Sequence, residues 1–302
     1  MNNIKIVIHG QPDCYFPGST VKGEVVVTVE KPEEYHKIVV GISGQAVVCW
    51  TTGSGDNQRT YHGSVSYIKE SSIVWSNKDI SGDLAIGDHT YPFEYQLPAD
   101  APASFESYIG NVRYKIKAQA FLTGLFNGSI KSKVSIKVGD NTDHVSSCME
   151  PKVAEMSKKV KFLCFDFGTV NVTCNLPQTG FSPGDSLPID LHIENMTTKA
   201  VRIRASLHVV NMFTAGHAKR QSFNHFSVLM SPEFPPGAIT SFEGSLQVPL
   251  DIQTTYRGCA IISVEYAVTL KAIAALGSSM DMNIPIVIAK QSSATAISKP
   301  YF

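Results

Sequence analysis

The stretch CYFPGSTVKGEVVVTVEKPEEYHKIVVGISGQAVVCW, from Cys14 to Trp50, decides the fold class. It opens with a Pro-Gly turn and continues through two long apolar runs. In the first run, valines at odd positions alternate with polar residues at even positions. The valines are Val21, Val25, Val27 and Val29, and the polar residues are Lys22, Glu24 and Thr28. Alternation with a period of two is typical of a β-strand with one face buried and the other solvated. The stretch therefore predicts β-structure.

Similar apolar runs recur along the chain, with Gly, Pro, Asn and Asp residues between them. In the first half they cover 38–50, 64–75, 91–97, 112–122 and 130–138. Short strands at regular spacing with turn residues between them favour a β-sandwich. No segment has a convincing apolar stripe at helical spacing, and the nearest, 150–161, is interpreted as a solvated connection. The fold class is therefore predicted to be all-β.

The second half of the sequence repeats the first. Pro17-Gly18 in YFPGSTVKGEVVV returns as Pro183-Gly184 in GFSPGDSLPIDLHI, and Tyr114 in NVRYKIKAQ corresponds to Tyr266 in ISVEYAVTLKA. The repeat is as long as a domain, so two tandem sandwiches are predicted. We place the first at residues 1–145, a linker at 146–157, the second sandwich at 158–290 and a short polar tail at 291–302.

Composition excludes several classes of protein. The 302 residues carry 26 Lys and Arg against 26 Asp and Glu, so the chain as a whole has no electrostatic reason to bind nucleic acid. The apolar part of the N-terminus is too short for a signal peptide, which predicts a soluble, unexported protein. In that setting the six cysteines, which have no CxxC spacing, are expected to be free thiols. The three glycosylation sequons, at Asn127, Asn171 and Asn195, are then expected to be unused.

Motifs for catalysis or metal binding are missing from the sequence. There is no GxSxG, HExxH, GxGxxG or GK[ST], and the nine histidines are dispersed. His217 and His225 come closest to a cluster, but the polar segment between them is interpreted as an exposed loop. We therefore expect no enzymatic activity, no catalytic residues, no metal site and no cofactor. An enzyme and a secreted adhesion module remain as alternatives to a binding protein.

One segment stands out by its charge. From Ser107 to Gly139 there is no Asp or Glu, and six cations all have odd numbers: Arg113, Lys115, Lys117, Lys131, Lys133 and Lys137. Apolar residues hold the even positions, and Asn127-Gly128 favours a hairpin turn between the two strands. Pairing the strands puts all six cations on one outward face. This face is either a solvated surface that discourages aggregation or a docking site for an acidic partner.

Taken together, these stretches resemble the arrestin family, and specifically its arrestin-domain-containing (alpha-arrestin) branch. The resemblance rests on YFPGSTVKGEVVV, on GDHTYPFEYQLPADAPASFESYIGNVRYKIKA and on KKVKFLCFDFGTVNVTCNLPQTGFSPGDSLPIDLHIENMTTKAVR, in this order. It implies two immunoglobulin-like sandwiches, the arrestin N- and C-terminal domains. It also implies a non-enzymatic cytoplasmic adaptor, with possible recruitment to the plasma membrane or endosomes, that supports endocytosis, sorting or transport of membrane-protein cargo.

The partners implied by the resemblance are cytoplasmic tails of membrane proteins, phosphorylated or not, anionic lipids and the trafficking machinery. Many alpha-arrestins also recruit ubiquitin ligases through PPxY motifs. Neither FPPGAI at 234–239 nor SKPYF at 298–302 has that spacing, so direct binding to WW domains is not expected. A structural subunit of a sorting complex, built on the same pair of sandwiches, is the alternative function.

Overall fold

The computed structural model describes residues 2–10, 12–78, 84–123, 128–140, 148, 150–162, 165–274 and 279–289. Within these residues there are seventeen strands and one 3₁₀ turn, Gly55–Asn57. No described helix is long and apolar enough to cross a bilayer. The strands are β1 (Asn3–Ile8), β2 (Thr20–Val29), β3 (Tyr35–Thr52), β4 (Arg59–Ser76), β5 (Gly87–Gln96), β6 (Phe105–Glu106), β7 (Gly110–Leu122), β8 (Ser129–Ile136), β9 (Lys152–Phe162), β10 (Phe165–Leu176), β11 (Gly180–Phe181), β12 (Ser186–Thr197), β13 (Val201–Ala215), β14 (Ala218–Met230), β15 (Ile239–Gln247), β16 (Ile262–Ala274) and β17 (Ser279–Ile288).

The chain forms two compact units, each a β-sandwich, as the alternation predicts. The first comprises Met1–Asn141, Phe213–Arg220 and Arg257–Ile262. Its two sheets have the strand orders β1-β2-β5 and β4-β3-β7, and both β6 and β8 pair with the far edge of β7. The odd-numbered valines of β2 are at most 1% exposed, which confirms that this strand buries one face.

The second unit comprises Thr142–Met212, Gln221–Tyr256 and Ser263–Phe302. Its sheets have the orders β15-β12-β10-β9 and β11-β17-β16-β13-β14. Residues 152–157, predicted to be part of the linker, instead lie in β9 and pair with β10. Because β9 is an edge strand with several exposed residues, its sequence does not alternate as clearly as that of a central strand.

The repeated Pro-Gly pairs form the same turn in both units. Gly18 has φ 78° and Gly184 has φ 92°, a conformation that glycine adopts without steric cost. In the first turn the Ser19 amide donates to the Phe16 carbonyl at 3.0 Å, and in the second the Asp185 amide donates to the Ser182 carbonyl at 3.0 Å. A proline followed by a glycine of positive φ is typical of a type II turn, so the turns are conformational requirements of the fold.

The two repeated tyrosines also occupy equivalent positions. Tyr114 on β7 donates its hydroxyl hydrogen bond to the Pro102 carbonyl at 2.7 Å, and Tyr266 on β16 donates to the Gln253 carbonyl at 2.5 Å. Both rings are at most 2% exposed. Each tyrosine therefore ties a loop to the strand that follows it, in the manner of the tyrosine corner of immunoglobulin-like domains.

We expect Tyr114→Phe and Tyr266→Phe each to lower the free energy of unfolding by about 1–1.5 kcal/mol, because each leaves a loop carbonyl without its tyrosine donor. Urea denaturation of the full chain measures this. Tyr91→Phe is the matched control, since the half-buried Tyr91 hydroxyl has no hydrogen-bond partner among the described residues. A loss no larger than that of the control would contradict a role for the two corners.

A buried asparagine connects β12 to the loop that precedes β15. Asn195 is 0% exposed. Its side-chain amide donates to the Lys199, Phe234 and Pro235 carbonyls at 2.9, 3.0 and 3.0 Å. Its side-chain oxygen accepts the Thr197 hydroxyl at 2.7 Å. Asn195 therefore holds two loop segments together.

The glycosylation sequons are consistent with structural roles. Asn195 is buried, as described above. Asn171 donates to Glu194 at 2.9 Å and accepts the Ser157 hydroxyl at 2.6 Å. Asn127 lies outside the described residues. Cys14, Cys49, Cys174 and Cys259 are free thiols.

Candidate partner-binding site

The six cations predicted to share a face do so in the structure. β7 and β8 pair antiparallel, with Lys117 directly opposite Lys133 and Gln119 directly opposite Lys131. The even residues of β7 point into the core, where Tyr114, Ile116 and Ala118 are at most 1% exposed. The odd residues must therefore point outward. Asn127 of the predicted turn lies outside the described residues.

Arg113 differs from the other five cations because it has an acidic partner. Its guanidinium forms a two-pronged contact with Glu106, with Nε to Oε1 at 2.6 Å and a terminal nitrogen to Oε2 at 2.7 Å. This hydrogen bonding lowers the pKa of the Glu106 carboxyl. The strand β6 places Glu106 opposite Asn111, just outside the acid-free segment. Much of the positive charge that Arg113 could offer a partner is therefore already neutralised.

Lys115 lies at the centre of the remaining positive charge. Its pKa is lowered, first by partial burial and then by the positive charges of Lys133, Arg113 and Lys117. These neighbouring positive charges repel that of Lys115, and a bound anion would relieve the repulsion.

A seventh cation, Lys69, joins the group from a strand distant in sequence. Ser43 of β3 pairs with Lys69 on one side and with Lys115 on the other, so all three belong to one row across the sheet. We define the basic face as Lys69, Arg113, Lys115, Lys117, Lys131, Lys133 and Lys137. No side chain described in the structure forms a salt bridge with any of its six lysines.

The surface between these cations is built from small residues. Gly41 of β3 pairs with Ser71 and Lys117, and Ser43 occupies the neighbouring outward position. Ser135 of β8 lies opposite Lys115. Because these side chains are small, they do not protrude far from the centre of the sheet. An extended peptide segment could therefore lie across the sheet while the lysine side chains contact the segment from both sides. The sequence alone did not place Lys69 in this group, because β4 and β7 are far apart in the sequence and are brought together only by their pairing with β3.

Comparison with known proteins identifies the family. The model of the arrestin (or S-antigen) N-terminal domain matches residues 4–141, and that of the arrestin C-terminal domain matches residues 166–293. The chain belongs to the arrestin family.

Its relatives place this arrestin in the arrestin-domain-containing branch. It is 24% identical to arrestin domain-containing protein 17 of Caenorhabditis elegans, over 95% of this chain and 70% of that protein. It is 23% identical to mouse thioredoxin-interacting protein, over 97% of this chain and 74% of that protein. It is 21% identical to mouse arrestin domain-containing protein 4, over 91% of this chain and 68% of that protein. At the level of the family, these matches support an arrestin-like adaptor, and arrestins are generally non-enzymatic.

The histidine segment of this arrestin differs from its prediction as a loop. His217 lies in the turn between β13 and β14, but His225 lies within β14. The His225 ring lies 5.9 Å from the ring of His208, whose Nδ1 lies 2.8 Å from the Thr269 hydroxyl. Burial and then His225 lower the pKa of His208, which favours its neutral form. No group of three or more potential metal ligands occurs among the described residues.

Proposed function

We propose that this arrestin is a non-enzymatic cytoplasmic adaptor that binds the cytoplasmic tails of membrane-protein cargo through its basic face. The observation that carries the proposal is the set of six lysines on one sheet surface, none of which forms a salt bridge with a carboxylate among the described residues. Exposed like charges at such density have a cost that an anionic partner removes. Support for endocytosis, sorting or transport of that cargo follows from the adaptor role of the family.

The geometry of the basic face favours an acidic or phosphorylated peptide segment. Residues directly opposite in an antiparallel pair have Cβ atoms about 4.5–5.5 Å apart, so the ammonium groups of Lys117 and Lys133 can reach one phosphate together. A phosphate carries about −1.5 to −2 charges near pH 7 and three acceptor oxygens. Because strand neighbours on one face are about 7 Å apart, further lysines can contact successive acidic residues of the same segment.

Location and recruitment follow from this proposal. Binding to membrane-protein tails would bring the arrestin from the cytoplasm to the plasma membrane or endosomes. These 302 residues contain no PPxY motif, so a ubiquitin ligase that binds within them would be recruited by another route than direct WW-domain binding.

Charge reversal of the basic face tests the proposal. We expect Lys115→Glu, Lys117→Glu, Lys131→Glu and Lys133→Glu together to weaken binding of a multiply phosphorylated acidic peptide about 100-fold or more, because four attractions of up to ~1 kcal/mol each become repulsions. The melting temperature should change little, since exposed substitutions usually cost within about 0.5 kcal/mol each. Fluorescence anisotropy with a labelled peptide measures the binding.

The matched control reverses four exposed lysines elsewhere, Lys31, Lys78, Lys152 and Lys219, and so has the same net charge. It should bind the peptide nearly as tightly as the wild type. Wild-type binding should weaken steeply with salt, because the Debye length falls from about 10 Å at 0.1 M to about 3 Å at 1 M. Equal losses in both variants would show an effect of net charge alone. Binding to phosphoinositide vesicles but not to the peptide would overturn the peptide in favour of lipid.

Partner identification in cells separates the adaptor from a structural subunit of a sorting complex. Co-precipitation should recover several cargo proteins together with coat components, and charge reversal of the basic face should remove the cargo. A single stoichiometric complex that the reversal leaves intact would favour the structural subunit instead.

A further inference from the structure

Two histidines lie side by side on the outward surface of a sheet in the second unit. The strand order of this sheet is β11-β17-β16-β13-β14, with His208 on β13 and His225 on the edge strand β14. Leu207 and Val209 of β13 are at most 3% exposed and point into the core, so His208 between them points outward. The centroids of the two histidine rings are 5.9 Å apart, with 47° between the ring planes.

Hydrogen bonds on the neighbouring strands fix the tautomer of His208. The Thr269 hydroxyl of β16 lies 2.8 Å from Nδ1 of His208 and donates to the side-chain oxygen of Asn283 on β17 at 2.7 Å. A hydroxyl has one hydrogen, and that of Thr269 is directed to Asn283, so Thr269 accepts a hydrogen bond from Nδ1 of His208. In the neutral ring Nε2 then has no hydrogen and keeps its lone pair. Burial lowers the pKa of His208, which favours this neutral ring.

The strand order decides the direction of that lone pair. Because β13 lies between β16 and β14, Thr269 and His225 are on opposite sides of His208. The ring edge that carries Nδ1 faces Thr269, so the opposite edge, which carries Cδ2 and Nε2, faces β14 and His225. Among the described residues, Nε2 of His208 has no hydrogen-bond donor. Its lone pair is therefore directed to the side of the second histidine and is open to a ligand.

The separation of the two rings fits a single metal ion between them. A histidine nitrogen lies about 2.0–2.1 Å from a bound Zn²⁺, which places the ion about 3.2 Å from the centroid of the ring. Two rings on one ion then have centroids about 5.2 Å apart at the tetrahedral angle and about 6.4 Å apart at 180°. The observed 5.9 Å lies between these limits. Since His225 is exposed, its side chain can rotate to turn a nitrogen towards the ion.

We propose that His208 and His225 form a binding site for a divalent transition-metal ion such as Zn²⁺. Imidazole nitrogen suits zinc, copper and nickel, whereas Mg²⁺ and Ca²⁺ take oxygen ligands. Thr269 and Asn283 are positioning residues, because a hydrogen bond from the second ring nitrogen to an oxygen orients a metal-bound histidine. Water completes the coordination, and solvent reaches the site along the free edge of β14.

This site is independent of the proposed function. The basic face belongs to the first unit, whereas all four residues of the histidine site belong to the second. The sequence pattern does not reveal the site, because its two ligands have no recognised metal-binding spacing and become neighbours only when β13 and β14 lie together in the sheet.

Zinc titration of the full chain by isothermal titration calorimetry at neutral pH tests the proposal. All samples carry Cys49→Ser, because an exposed thiol would itself bind zinc, and are freed of metal with EDTA. We expect His208→Gln and His225→Gln each to weaken zinc binding about tenfold or more, since each removes one of two ligands. Mg²⁺ in excess should not compete with zinc.

The matched control is His217→Gln, which removes an exposed histidine from the turn before β14. It should leave zinc affinity within about twofold of the parent, because other histidines contribute the same background to every variant. Absence of zinc binding by the parent, or an affinity that His225→Gln leaves unchanged or that His217→Gln lowers as much, would overturn the proposal. Circular dichroism melting establishes folding, and the exposed His225→Gln decides the result if His208→Gln does not fold.

A third variant and a spectroscopic measurement separate metal binding from a merely structural role. Thr269→Val keeps both ligands but removes the acceptor of the Nδ1 hydrogen bond, and it should weaken zinc binding about tenfold or more. In long-range ¹H–¹⁵N spectra of the histidine rings, His208 should carry its proton on Nδ1, and zinc should shift Nε2. A proton on Nε2 in the metal-free protein, or an Nε2 signal that zinc does not move, would contradict the site. His225→Gln should bind the phosphorylated peptide like the wild type, so failure of peptide binding affects the proposed function alone.

Discussion

Asn195→Leu is expected to lower the free energy of unfolding by about 3–5 kcal/mol, one of the largest losses for a single substitution in this arrestin. Leucine has a similar volume but no polar atoms. The substitution removes the hydrogen bonds that the amide makes with the Lys199, Phe234 and Pro235 carbonyls and with the Thr197 hydroxyl. The three carbonyls keep the Thr197 hydroxyl and the Val201 and Ala238 amides, respectively, as donors. Each lost hydrogen bond contributes about 0.5–1.5 kcal/mol, so the simultaneous loss of several accounts for the expected total.

Chemical denaturation of the full chain, followed by circular dichroism, measures this loss. Thr197→Val should show a smaller effect of about 1–2 kcal/mol, because it removes only the hydroxyl that connects Asn195 to Lys199. The exposed Asn224 provides the matched control, and Asn224→Leu should change stability by less than about 0.5 kcal/mol. If Asn195→Leu cost no more than this control, the amide would not hold the two loop segments.

Gly44→Ala is expected to cost about 3 kcal/mol, because the core has no room for a single methyl group at this position. A Cβ at residue 44 would overlap the ring of Tyr114 and lie 2.9 Å from Cγ2 of Ile68. The ring cannot easily move aside, since Tyr114 is fully buried and its hydroxyl is bound to the Pro102 carbonyl. The glycine therefore makes space for the tyrosine corner of the first unit.

A double-mutant cycle with Tyr114→Leu tests the cause of that loss. If the clash with the ring is responsible, Gly44→Ala should cost much less in the Tyr114→Leu background, with an interaction energy of about 1–3 kcal/mol. Ser43→Ala serves as the control, because it changes the neighbouring residue on the outward face and should have an effect within about 0.5 kcal/mol. Additive losses in the cycle would place the strain elsewhere than at the ring.

The strands and turns of this arrestin were predictable because local chemistry governs them. The odd-numbered valines of β2 alternate with polar residues because one face is buried and the other solvated. Pro17-Gly18 and Pro183-Gly184 mark the same turn because proline fixes φ at its first corner and glycine permits the positive φ that follows. The alternation in β7 and β8 was strong enough to predict that six cations share one face.

Edge strands were predicted poorly. Residues 152–157 were interpreted as part of a linker and the segment after His217 as a loop, yet they belong to β9 and β14. Both strands lie at the edge of a sheet, where residues of either parity reach solvent and polar side chains are tolerated on both faces. The periodic signal that identifies a central strand is therefore weak in both of them.

The sequence by itself determined that the chain is a pair of β-sandwiches and that one hairpin is rich in lysine. Only the tertiary structure decided which charged side chains are paired within the chain and which lie together on a sheet surface. It joins Glu106 to Arg113 through the two-residue strand β6 and brings Lys69 into the row of Lys115, and it lines up Asp190 with Glu243. The physical reason is that cross-strand register depends on bulges, such as the one between Gly44 and Gln45, and on sheet order. The sequence of a single strand encodes the alternation that buries one of its faces. It does not encode the positions of bulges or the order of strands in the sheet.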